Sequence, residues 1–214
     1  MKPAAVFALA MLATPAALAH PVTFPENLMG MAEFDRNWQD FNAWYTFSPN
    51  QAAGPGFMKF RSEDRTRQRE IPNLHYNYRA ARWNWPDAQA NIYLQAGIGE
   101  ARGNDFSGSR TVLMPGFQAD YETRRVYTAV RWHAMRGGPV DHTFSNVQAG
   151  FTFHAGEYDD WSPWFILDVR KMSNLGMDTE VTPTLRLVHK SLFFEAGAVD
   201  GKRLRLNLMY NFSF

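Results

Sequence analysis

The chain has no cysteine, no apolar run long enough to make a membrane helix, and no excess of either charge. Without cysteine there is no disulfide framework, zinc–thiolate site or thiol nucleophile. Without a stretch of about 20 apolar residues there is no spanning helix. With 22 Lys and Arg against 21 Asp and Glu, no basic surplus invites nucleic acid. A nucleotide fingerprint is missing too. Gly97-Ile98-Gly99 is followed by no helical pattern that could offer phosphate an N-terminus.

What the chain has is an export signal and a repeated alternation. Lys2, the apolar stretch from Ala4 to Leu12 and the small-residue box Ala17-Leu18-Ala19 read as a cleaved secretory signal peptide over residues 1–19. About 195 residues would remain, formally neutral once Lys2 is gone and long enough for one large β domain. At the other end, Leu204, Leu206, Leu208, Tyr210, Phe212 and Phe214 share one face of a strand. Arg203, Arg205, Asn207, Met209, Asn211 and Ser213 share the other. Aromatics make up 15% of the chain although its mean hydropathy is −0.39, the balance expected when lipid-facing and lumen-facing residues alternate.

That closing stripe resembles the terminal strand of bacterial outer-membrane β-barrels. The resemblance implies that Tyr210, Phe212 and Phe214 form the mark read by the barrel-assembly machinery. Residues 20–27, with Pro21 and Pro25, read as an irregular lead-in, and 28–214 as the barrel. Its candidate strands begin with Leu28–Asp35, Gln39–Ser48, Gly54–Glu63 and Asn73–Trp83. They continue with Gln89–Arg102, Arg110–Glu122, Arg125–Arg136, His142–Ala155, Trp161–Met172, Thr179–His189, Ser191–Asp200 and Arg203–Phe214. The total is twelve, an even number as bacterial single-chain barrels have; ten remains if the first pair is a plug or an edge extension. The charged run Arg61–Glu70 is expected as a loop in water, Pro115 as a strand distortion, Asp200-Gly201 as a hairpin turn, and Trp83 and Trp85 as part of an interfacial girdle. Links after even-numbered strands are mostly short, which suits periplasmic turns.

The inward face would collect Arg79, Arg131, Arg170, Arg186, Arg203 and Arg205 with Asp120, Asp168 and Glu195. Opposite charges in a narrow lumen pair with one another, so these residues either brace the barrel or line a narrow polar pore or a solute-binding site. His142-Thr143-Phe144-Ser145-Asn146 resembles the strand on which outer-membrane lipid acyl hydrolases carry His-x-Ser, but a spacing of three points His142 and Ser145 to opposite faces of a strand. Cleavage after Ala19 would leave His20 with a free α-amine beside its imidazole, a pair of nitrogen donors suited to Cu(II), with Met29 and Met31 suited to Cu(I).

Gln89-Ala90-Asn91-Ile92-Tyr93, Val181-Thr182-Pro183 and Phe194-Glu195-Ala196-Gly197 look like segments of a group of small proteobacterial outer-membrane barrel proteins. That likeness implies a Gram-negative outer-membrane location and a copper or heavy-metal context, with no catalytic residues. The expectation is therefore a porin-like, non-enzymatic outer-membrane β-barrel. Its partners would be outer-membrane lipid, the assembly machinery and a small solute or metal ion. Copper at His20 is the one possible cofactor.

Overall fold

Alternation of apolar and polar residues leaves a strand one greasy face and one wet face, and in lipid the unpaired edge of such a sheet must be closed. The chain meets both conditions with antiparallel strands and no helix among the described residues. The computed structural model describes residues 20–212 except 155, 157, 158, 176 and 177; the expected signal segment 1–19 and Phe214 lie outside the described residues. The strands are β1 Leu28–Phe34, β2 Trp38–Ser48, β3 Gln51–Arg61, β4 Gln68–Trp85, β5 Ala88–Gly103, β6 Arg110–Leu113, β7 Gly116–Thr123, β8 Val126–Gly137, β9 Val140–Phe151, β10 Ser162–Met172, β11 Glu180–His189, β12 Leu192–Val199 and β13 Arg203–Phe212.

Each pairs with its sequence neighbours, and β1 closes the ring against β13 from Leu28↔Phe212 to Phe34↔Leu206. β6 and β7 are two halves of one staircase position. Both pair with β5 and β8 in a single register on either side of Pro115, whose own carbonyl still accepts from Ala134 N at 2.9 Å. The barrel therefore has twelve strands, with a distortion at the proline and no inserted residue. The seam shows Leu28–Phe34 to be a full partner strand, which removes the ten-strand alternative.

The expected loop Arg61–Glu70 is shorter than its charge suggested, and this is a correction. Only 62–67 leave the sheet; Lys59↔Glu70 and Arg61↔Gln68 are cross-strand pairs, with Lys59 Nζ 2.6 Å from Glu70 Oε1. Charged residues stay in strand form here because a hairpin that continues past the apolar belt has water for its side chains. A second departure lies in β4. The β4–β5 register shifts between Arg79 and Ala81, and a residue gained on one strand reverses the inside-outside parity beyond it. This bulge puts Trp83 and Trp85, 46% and 50% exposed, on the same outer face as Leu74 and Tyr76. Strict alternation from Leu74 would have aimed both indoles into the lumen.

The outside is a band of exposed Leu, Val, Ile and Phe, edged by aromatics that pack on one another. Trp85 meets Tyr121 at 6.4 Å, Phe151 meets Phe165 at 5.9 Å and Tyr210 meets Phe212 at 4.7 Å on the short-turn side; Phe34 meets Phe41 at 5.0 Å toward the opposite rim. Two backbone details hold this ring together. Asp200 and Gly201 both have positive φ, 50° and 68°, the conformation for which Asp-Gly is suited in a hairpin. Gly54 lets β3 approach β2, since a Cβ there would stand 1.8 Å from the Ala43 carbonyl oxygen.

Candidate functional site: the lumen

Inward-facing residues divide the interior into a plug, a central chamber, a charge network and an apolar cover. The plug is the lead-in. Pro21 and Pro25 keep residues 20–27 from joining the sheet, and the segment turns into the barrel mouth, held to β2 by Glu26 N→Thr46 O at 2.8 Å and Thr46 N→Asn27 O at 2.9 Å. His20 and Val22 are buried at its tip. The His20 imidazole lies with Nδ1 3.3 Å from Asp120 Oδ2 and Nε2 3.7 Å from Glu122 Oε1, and its ring centroid is 5.7 Å from that of Tyr93. Burial by itself would lower the imidazole pKa, but hydrogen bonding and charge attraction from Asp120 and Glu122 outweigh it and raise it to about 9. The nitrogen that a copper chelate would need is thus engaged by Asp120. Among the described residues no group of three or more His, Asp or Glu is placed to hold a metal ion.

The raised pKa has a consequence. A cationic His20 favours the seated plug fully below its ordinary value of 6.5, and that contribution fades as the pH rises through about 9. A nitroxide at exposed position 24 should therefore become more mobile between those pH values. His20→Gln should remove the step; a step of the same size in that variant would show that His20 is not the latch.

Six expected lumen arginines faced only three expected acids, an imbalance that pointed to missing carboxylates. The structure supplies Glu33, Asp35 and Glu180. Arg170 pairs with Glu33 and Asp35 and reaches Glu180 at 3.1 Å. Arg205 reaches Asp35 at 3.3 Å, Asp168 at 3.2 Å and Glu180 at 2.6 Å, and Arg203 reaches Glu180 at 2.8 Å. Asp35 was hard to find because it lies just beyond β1, where Oδ1 also accepts from the backbone of Asn37 and Trp38 at 2.7 and 2.8 Å. Arg186 pairs with Glu195 at 2.8 Å and lies over the rings of Tyr127 and Phe193, 4.3 and 4.8 Å from their centroids. Asp120, on β7, instead pairs with His20 of the plug. Arg79 does not join these residues: it stays near the short-turn rim, bonded to Pro49 O and to Asn50 Oδ1.

At the long-loop end Trp38 stacks between Phe60 and Phe144, with centroids 6.0 and 5.7 Å away, in a buried layer with Met58, Ile71, Val112 and Leu175. Above it Arg69 binds Asp105 at 2.6 Å and His142 Nε2 at 2.6 Å, while His142 Nδ1 donates to Ser173 O at 2.9 Å. The Arg69 guanidinium hydrogen-bonded to Asp105 lowers that loop carboxyl's pKa below its ordinary value. His142 is buried inside and Ser145 is exposed outside, so the acyl-hydrolase arrangement is not assembled.

Between plug and cover lies a chamber of about 110 Å³. Its walls carry Asp40, Arg131, His75 and His133, amides including Asn42, Asn77 and Asn207, and the rings of Trp44, Tyr127 and Phe193, with methionines from the seam. The chamber's contents were legible in the sequence only as scattered inward positions.

No family model matches the sequence, and no curated protein matches it. Solved structures of similar architecture include a KdgM porin, 12% identical, covering 88% of this chain and 99% of its own with a TM-score of 0.48. The same porin in complex with disordered oligogalacturonate scores 0.49 at 12% identity and equal coverage. OccK8 (OprE) of Pseudomonas aeruginosa is 10% identical, with 86% of this chain and 62% of its own covered and a TM-score of 0.42. The likeness is one of barrel architecture and assigns no solute to this chain.

Proposed function

We propose that this protein is an integral outer-membrane β-barrel that admits small polar solutes through a narrow, plugged lumen, without catalysis. One observation carries the reading: a closed twelve-strand ring whose exposed face is apolar surrounds a polar chamber, closed at one end by the lead-in segment and at the other by a layer of apolar side chains. An apolar outer belt needs lipid as its partner, and closure pairs the backbone groups that lipid could not satisfy. A chamber lined by amides and charges is of use only if water or solute reaches it. The periplasmic cover is the part most able to move, since it is a short irregular segment seated through His20 and a few bonds to Thr46. The aromatic stripe of Tyr210, Phe212 and Phe214 is its proposed assembly mark, and the outer membrane is the proposed location.

Planar-bilayer recording tests the reading. The intact barrel is expected to show rare, brief openings, and deletion of residues 21–27 is expected to convert them to a steady conductance. Silence from both proteins, each folded as judged by heat-modifiable electrophoretic mobility, would remove the channel and leave a structural or binding barrel.

A further inference from the structure

Burying a charge without a partner is costly, so every ionised group inside a barrel needs a counter-charge. The lumen obeys this almost throughout: Arg170, Arg186, Arg203 and Arg205 each pair with carboxylates, and His20 pairs with two. Two chamber residues lack such a partner. Asp40, on β2, accepts from Asn42 Nδ2 at 2.9 Å, and Arg131, on β8, donates from Nε to Asn146 Oδ1 at 3.0 Å. Among the described residues neither carboxylate nor guanidinium has an ion-pair partner within 4 Å. Their strands stand five places apart in the ring of twelve, so the two groups enter the chamber from well-separated walls.

The same chamber carries unused hydrogen-bonding capacity. Asn42 Oδ1, Asn77 Nδ2, Asn207 Oδ1 and Trp44 Nε1 are buried and unpartnered among the described residues, and all four side chains line it. Unpaired buried amides cost stability unless something polar meets them. On the measure by which one water needs roughly 10–15 Å³, the chamber has room for several waters or one amino-acid-sized solute.

We infer that the chamber is a binding site for a small zwitterion, with its ammonium group toward Asp40, its carboxylate toward Arg131 and its middle against the Trp44 and Tyr127 rings. A monoanion would leave Asp40 unpaired and a monocation would leave Arg131 unpaired. A neutral polyol would meet the amides but bring no counter-charge to either wall. Only a molecule that carries both charges, and no net charge, completes the set. The inference deepens the reading of the lumen as a solute compartment and rests on it.

Calorimetric titration of the full mature barrel in detergent tests it, with 4-aminobutyrate, butyrate, butylamine and erythritol as matched probes. The zwitterion is expected to bind about tenfold or more tightly than the other three, since each charged contact is worth at least that factor. Asp40→Asn should weaken 4-aminobutyrate and turn the preference toward butyrate; Arg131→Gln should turn it toward butylamine. Retained heat-modifiable mobility identifies folded variants, and the opposite direction of the two shifts cannot come from a common loss of structure. Equal binding of erythritol, no binding of any probe, or an unchanged preference in both variants would overturn the inference. Zwitterion binding without conductance in the plug deletion would remove the channel and leave this site standing. Conductance without zwitterion preference would do the reverse.

Discussion

Replacing Arg170 with alanine is expected to cost about 3–5 kcal/mol of barrel stability, the range for removing one partner from a buried ion cluster. Arg170 is the cation on which Glu33, Asp35 and Glu180 converge, and it lies over the Phe144 ring, 5.7 Å from the centroid. It reaches from β10 to the chain at β1, joining residues 137 apart in sequence for Glu33. Without it, Arg205 and Arg203 remain to serve four inward carboxylates, Glu33, Asp35, Asp168 and Glu180, and Glu33 keeps no ion pair among the described residues. Urea unfolding in detergent, followed by the shift in electrophoretic mobility, measures the loss. Pairing Arg170→Ala with Glu33→Gln should restore part of it, because the worst of the unpaired charge is then gone. A cost below about 1 kcal/mol for Arg170→Ala would mean that water reaches these carboxylates and that the network is not a dry brace.

Leu167→Arg is expected to cost about 2–4 kcal/mol, and Ser145→Arg about 1 kcal/mol or less, although both residues face outward. Leu167 pairs with Ala149 and Pro183 in the middle of the exposed band and is 48% exposed. Ser145 pairs with Lys171, which is itself exposed on the outer face. A natural lysine at that level marks where the belt gives way to headgroups and water, so an added arginine there finds solvation. Refolding titrations into lipid vesicles would give both values. Equal costs at the two sites would mean that the outer band is not in lipid and that the barrel assignment to the membrane is wrong.

Much of the fold could be read from alternation. A strand's pleat sends successive side chains to opposite faces, so the period of two in Arg203–Phe212 specifies which residues face outward before any partner strand is known. The same local rule placed Arg131, Asp168, Arg170, Arg186, Glu195 and Arg205 on the inward phase. Turn chemistry at Asp200-Gly201 and the proline at 115 were legible for the same reason, since φ preferences and a missing N–H belong to single residues. Where the rule breaks, the sequence is silent. No feature of Arg79-Ala80-Ala81 announces the bulge that returns Trp83 and Trp85 to the outer face. The charged run at 61–70 read as a loop because composition cannot tell a strand that runs on into water beyond the apolar belt from a turn.

The chain's own residues thus determined its class and its two faces, because each is set by neighbours one or two positions away. The tertiary structure alone decided the rest. Closure of the ring brought Glu33 to Arg170, placed His20 between Asp120 and Glu122, and left Asp40 and Arg131 unpaired across one chamber. The physical reason is that Coulomb energy and burial depend on distance through space, and those distances exist only once β1 has met β13.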